Sequence, residues 1–165
     1  MGIREQICEE AMALASAHGI YLWGGNGEPT ESLTAAQIRA QETTLENAAR
    51  VLRFMASCYD KGYDMKKSRA CDCSGAVVYI LRKLGLIKPT ADYRARDLQA
   101  MSEKVRLDKL EPADLVYNKT SGATHVGIYI GSNQVVEARG RDYGIVQRSL
   151  ATGSWVIGGK LPYIK

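Results

Sequence analysis

The chain carries four cysteines and only two histidines, His18 and His125, so any chemistry that pairs a thiol with an imidazole base must use one of those two. Cys73 lies in the run Cys71-Asp72-Cys73-Ser74-Gly75, where a loop enters a helix. A cysteine in the first helical turn faces unpaired backbone N–H groups and the positive end of the helix dipole, which favour the nucleophilic thiolate. Asp72 and Ser74 are helix-capping types, and Gly75 permits close approach of another chain segment. Without a partner, Cys73 reads equally well as a structural thiol. His18 has a plain reading: followed by Gly19, it closes a helix, with glycine in the left-handed position and imidazole suited to the dipole.

His125 opens an alternating run in which Val126, Ile128 and Ile130 face one way while His125, Gly127 and Tyr129 face the other. An imidazole opposite the apolar set is not a core histidine, and Gly127 leaves room beside it. A three-residue loop at Gly131-Ser132-Asn133 pairs Ile130 with Gln134 and hence Gly127 with Glu137. Glu137 is then the diagonal same-face neighbour of His125, within reach of a long side chain. A two-residue loop would turn Glu137 to the opposite face. In the first register the carboxylate can orient the imidazole and favour its charged form, as the third member of a nucleophile–base–orienter set does.

The elements that must hold these residues follow from periodicity. Ile3, Ile7, Met12 and Leu14, with alanines between, mark one amphipathic helix. Thr34 with Gln37, and Thr43 with Glu46, have capping-box spacing. The second opens a long helix whose stripe is Leu45, Ala48, Ala49, Leu52, Met55, Ala56 and Tyr59. Residues 61–69 read as a solvated basic loop. A third helix begins at Cys73, buries Ala76, Val77, Ile80, Leu81 and Leu84, and stops at Gly85. Residues 92–102 form a shorter helix. After Pro112 the period becomes two, giving four or five short strands separated by glycine-rich turns. Helices followed by a strand meander indicate α+β.

With 165 residues, 45% hydrophobic and 24% charged, the chain forms one folded domain and is not disordered. No apolar run is long enough for a membrane-spanning helix. Residues 1–20 carry Arg4, Glu5, Glu9 and Glu10, so no secretory signal is expected. The net charge of +4 is far from a nucleic-acid signature, and no aromatic stacking platform accompanies Arg139 and Arg141. Those two arginines are expected at a groove rim, able to meet substrate carboxylates. Cys71 and Cys73 lack a second cysteine pair, so a metal site is not expected.

Five segments in order resemble the NlpC-type cell-wall peptidases of the papain-like superfamily: residues 21–25, 72–84, 111–118, 125–131 and 135–140. The likeness spans most of residues 15–160. It implies an α+β papain-like fold, with the nucleophile at a helix N-terminus and N-terminal helices packed on a four- to five-stranded antiparallel sheet. It implies Cys73 as nucleophile, His125 as general base and Glu137 at the third catalytic position. Tyr21 matches a tyrosine lining the site near the oxyanion, while Asp72 and Ser74 match positions that in some members hold the substrate's free amine. The implied activity is hydrolysis of peptidoglycan stem peptides, typically between γ-D-glutamate and a diamino acid, with no metal and no cofactor. Three departures stand out: Glu137 where histidine is commoner, Ala113 where glycine is usual, and a helical insert at about 27–70 between the first two segments.

Two alternatives stay open: an N-acetylmuramoyl-L-alanine amidase using the same Cys73 and His125, and a noncatalytic wall-binding module. The expected partner is the peptidoglycan stem peptide, with no nucleic acid. The expected setting is synthesis in the cytoplasm without a signal peptide and action on the wall after release, as in a phage lysin or tail-associated hydrolase. A domain cut from a longer secreted chain fits equally.

Overall fold

In a computed structural model, which describes residues 1–165, helices and strands follow the order expected for α+β. The helices are α1 (Ile3–Ser16), α2 (Ala35–Gln41), α3 (Leu45–Asp60), α4 (Cys73–Lys83) and α5 (Ala95–Met101). The strands are β1 (Ile20–Tyr21), β2 (Asn26–Pro29), β3 (Arg69–Cys71), β4 (Glu103–Val105), β5 (Leu115–Tyr117), β6 (Val126–Gly131), β7 (Gln134–Gly140), β8 (Gly144–Ser149) and β9 (Ile157–Lys160). No helix is long and apolar enough to cross a membrane.

The main sheet has six antiparallel strands in the order β4-β9-β5-β6-β7-β8, against an expectation of four or five. The added strand is β4, three residues with no alternation to reveal it, recruited by pairing with β9. A second sheet of three strands, β1-β3-β2, was not foreseen; its strands are two to four residues long, too short for a periodic signal. Residues 27–70 therefore contribute strand as well as helix.

Three apolar clusters divide the interior. The largest joins Ile7, Ala11 and Leu14 of α1 and Val77, Ile80 and Leu81 of α4 to Leu115, Ile128, Val136 and Ile145 on one face of the main sheet. Each Val, Leu or Ile among them, withdrawn from water, stabilises the fold by about 1.5–3 kcal/mol before the cost of ordering it. Val116, Tyr129, Val135 and Trp155 cover part of the other face. The remaining cluster joins Ile20 and Ala70 of the small sheet, and Leu22 just after β1, to Ile38, Ala48, Val51 and Cys58 of α2 and α3.

Local details correct several readings. The left-handed residue after α1 is His18, at φ 58°, and not Gly19; His18 stacks on Tyr63 at 3.9 Å. The α2 cap is as expected, with Gln37 N donating to Thr34 Oγ1. The α3 cap lies one residue later than read, at Thr44, whose Oγ1 accepts from Asn47 N. Leu45 and Tyr59 are exposed, because the face of α3 turned to the small sheet is Ala48, Val51 and Cys58, with Leu52 and Met55 at its margin. The stretch 61–69 is not wholly solvated: Met65 plugs the small core, and Ser68 donates to the His18 carbonyl while sharing a hydroxyl contact with Thr30.

Candidate active site

Cys73 is the first residue of α4. Asp72 caps that helix, accepting from Gly75 N at 2.7 Å, and Ser74 Oγ donates to the same carboxylate at 3.3 Å. The other Asp72 oxygen accepts from Gly24 N at 2.9 Å, so one carboxylate ties the 21–25 segment to the start of α4. Gly75 is required here, because a Cβ would collide with the Gly25 carbonyl oxygen. Cys73 alone of the four cysteines is partly exposed; Cys8, Cys58 and Cys71 are buried, and burial pushes all three thiols up. Cys71 faces the main core, so the C-x-C pair does not converge on one point.

His125 immediately precedes β6. Its backbone N–H donates to Asn118 Oδ1 at 3.0 Å, as does that of Thr124, and Asn118 N donates back to the His125 carbonyl. The Thr124 carbonyl in turn lies 3.9 Å from Cys73 Sγ. The imidazole Nε2 sits 3.0 Å from Glu137 Oε1. Burial would lower the imidazole pKa, but hydrogen bonding and charge from Cys73 and Glu137 outweigh it and raise it to about 9.

The register that delivers Glu137 matches the expectation along the strands, with Ile128 opposite Val136 and Tyr129 opposite Val135, yet the turn differs. It is a two-residue turn, Ser132 at φ 51° and Asn133 at φ 57°, both positive as the primed hairpin turns require. A bulge between Tyr129 and Gly131 absorbs the missing residue and restores the face.

Tyr21, Asp72, Cys73 and Ser74 line one cleft of about 590 Å³, together with Trp23, Asn26, Thr124 and the 92–96 segment. Burial raises the Tyr21 phenol pKa, and the Arg141 guanidinium lies 5.2 Å from its ring. Neither Arg139 nor Arg141, expected at a groove rim, lines this cleft: Arg141 is tied to Glu42 at 2.7 Å, and Arg139, which is exposed, covers the Tyr143 ring at 3.9 Å.

The NlpC/P60 family model matches residues 59–157, more than half of the chain and the stretch holding Cys73, His125 and Glu137. This chain belongs to the NlpC/P60 family. Among curated relatives, it is 34% identical over 85 residues to the probable endopeptidase p60 of Listeria grayi, covering 51% of this chain but 16% of that protein. The chain thus spans about a sixth of the length of that relative. It is 32% identical over 140 residues to the murein DD-endopeptidase MepS/murein LD-carboxypeptidase of Escherichia coli K12, covering 78% and 70% of the two chains. Among solved structures, RipD from Mycobacterium tuberculosis, described as a non-catalytic NlpC/p60 domain protein adapted to peptidoglycan binding, superposes over 97% of this chain and 98% of its own at a TM-score of 0.62 and 15% identity. The family fold alone therefore does not decide catalysis; the side chains in the site must.

Within this NlpC/P60 domain the structure adds three residues that sequence reasoning missed. Arg148 Nε donates to Glu137 Oε2 at 2.9 Å and Nη2 to Oε1 at 3.3 Å, while its Nη1 holds the Thr152 carbonyl. The register of β7 and β8 contained the signal: Glu137 pairs with Val146, so Arg148 is its diagonal neighbour, as His125 is across β6. Burial would raise the Glu137 carboxyl, but bonds from His125 and Arg148 prevail and lower it. Trp155 stacks on His125, 5.2 Å between ring centroids, in the space left by Gly127. Asn118 carried no pattern beyond lying at the end of β5.

Proposed function

We propose that this chain is a peptidoglycan hydrolase, a cysteine endopeptidase that cleaves stem peptides through Cys73, His125 and Glu137. The observation that carries the reading is the continuous arrangement of a partly exposed helix-terminal thiol, an imidazole whose pKa is raised by that thiol and a carboxylate 3.0 Å from its far nitrogen, beside a cleft. Arrangement and charge agree: a proton from the thiol has a base to receive it, and the resulting imidazolium has a buried anion to hold it. Cys73 Sγ attacks the peptide carbonyl as a thiolate, its proton already carried by the His125 imidazolium. The Cys73 and Ser74 N–H groups, which have no intrahelical acceptor at the start of α4, would serve the developing oxyanion, while that of Gly75 is taken by Asp72. His125 then protonates the leaving amine, and water releases the acyl group from sulfur. Relatives named as endopeptidases in Listeria grayi and Escherichia coli support this chemistry.

The bond we propose is that between D-glutamate and the diamino acid, on the strength of the family resemblance. The deciding experiment digests defined sacculi and identifies the fragments by mass spectrometry, with Cys73→Ser as control. Wild type should release fragments ending in γ-D-glutamate, and Cys73→Ser should release none while keeping its fold. Release of intact stem peptides from the glycan would assign an amidase. Binding to sacculi with no product from wild type would assign a wall-binding module. Iodoacetamide should label Cys73 before the three buried cysteines; earlier labelling of Cys8 or Cys58 would refute a functional Cys73.

A further inference from the structure

The cleft wall at Tyr21 and Trp23 is held in part by residues that precede the stretch matched by the family model. Trp23, about half exposed at the cleft, is gripped on both sides of its peptide by the end of α2. Its N–H donates to Glu42 Oε2 at 3.0 Å, and its carbonyl accepts from Gln41 Nε2 at 2.9 Å. The next N–H, of Gly24, donates to Asp72, the cap of the nucleophile's helix. The other Glu42 oxygen accepts from Arg141 Nε at 3.0 Å and Nη2 at 2.7 Å. The Glu42 side chain is fully buried and that of Arg141 is 15% exposed. Arg141, in the β7–β8 turn, also covers the Tyr21 ring. Its neighbour Asp142 forms a second pair with Arg50 of α3, but this one is exposed and adds little.

A buried carboxylate that bridges a guanidinium and a backbone N–H fixes three segments at once: the α2–α3 junction, the β7–β8 turn and the 21–24 wall. Neither Glu42 nor Arg141 lines the cleft, so neither is a catalytic residue. We propose that Glu42 and Arg141 are positioning residues which hold Tyr21 and Trp23 in place to receive the stem peptide, so that the α2–α3 segment sets substrate affinity without touching substrate. This rests on the peptidase reading above. It separates binding from chemistry: loosening the wall weakens binding, while Cys73, His125 and Glu137, held by α4 and the main sheet, keep their reactivity.

The test compares wild type, Glu42→Gln and Glu42→Ala on a soluble muropeptide, with two readouts that need no turnover. Glu42→Gln preserves shape and an acceptor for Trp23 N, which keeps the test usable should Glu42→Ala fold poorly. KM should rise roughly tenfold in Glu42→Ala and less in Glu42→Gln, with kcat within about twofold, as expected for loss of binding common to ground and transition states. The iodoacetamide rate at Cys73 should not change. Acrylamide should quench tryptophan fluorescence more steeply in the variants, since Trp23 is the exposed one of two tryptophans. An unchanged KM in both variants would overturn the proposal, as would a fall in kcat and alkylation rate at constant KM. If wild type cleaves nothing, the peptidase reading fails by itself. The quenching arm then decides the anchoring: steeper quenching in the variants sustains it, and identical quenching defeats it.

Discussion

His125 meets Glu137 through Nε2, which leaves Nδ1 for the sulfur and gives the two ring nitrogens separate duties. With its pKa at about 9, the imidazole is charged at neutral pH, and the alkaline limb of the pH–rate profile should report its loss of a proton. Glu137→Gln keeps shape and one acceptor but removes an anion that raises that pKa, so the alkaline limb should move to lower pH. The rate should fall by about tenfold to a hundredfold, less than on losing Cys73. An unmoved limb together with an unchanged rate would reduce the site to a Cys73–His125 pair. Arg148 is the second holder of the same carboxylate. Arg148→Met leaves a buried anion with one partner and should cost about 2–4 kcal/mol at neutral pH in urea unfolding. Glu137 is ionised above its lowered pKa and protonates only as pH falls through it, so the deficit should shrink in acid. A deficit independent of pH would mean that Arg148 acts by packing alone.

The strand β6 shows what alternation in a sequence can and cannot reveal. Its face assignment was legible because Val126 and Ile128 repeat at a period of two, and the same period carried Glu137 to His125. The turn was not legible: a three-residue loop and a two-residue turn with a bulge give the same register, and a bulge has no side-chain pattern. The α4 cap was readable from Asp72 at the helix start, while the three-stranded sheet was not, because strands of two to four residues have no period. Trp155 and Arg148 escaped because each reaches the site through tertiary pairing. Gly127, read as leaving room, has its space filled by the Trp155 ring and Val135. Gly127→Ala would place a methyl 2.7 Å from Val135 Cγ1 and 2.9 Å from the indole, and should cost about 1–3 kcal/mol. It should also lower kcat by displacing the ring stacked on His125. Full activity and stability in that variant would show that the stack is incidental.

Across the whole molecule, the helices α1 and α4 and the main sheet share one core, while α2 and α3 share another with the small sheet. The proposed nucleophile and base stand on the first, and the wall at Tyr21 to Trp23 continues from the second. Ile38, fully buried in the smaller core, is the place to separate them. Ile38→Ala should cost about 2–5 kcal/mol of stability in the smaller core. Hydrogen exchange should accelerate in α2, α3 and the small sheet before it does in α4 or β6, as expected of units with unequal local stability. Uniform acceleration in both regions would show one cooperative unit. Ala113 belongs to the larger core and holds φ at 76° although it is not glycine, a backbone conformation that glycine would adopt without strain.

The tip at Ser132-Asn133 has a bearing on how such a domain can change through its lineage. Point mutations there trade one turn-forming residue for another and leave every strand where it was. A single-codon deletion or insertion is another matter, because the bulge already absorbs the one residue of slack between turn and register. A gain or loss of one codon that leaves both the two-residue turn and the bulge in place would swap inside for outside along one arm of the hairpin and carry Glu137 away from His125 in one step. Selection on this hairpin therefore acts on its length more strictly than on its letters. Functional descendants of this sequence should vary in the identity of residues 132 and 133 while conserving their number.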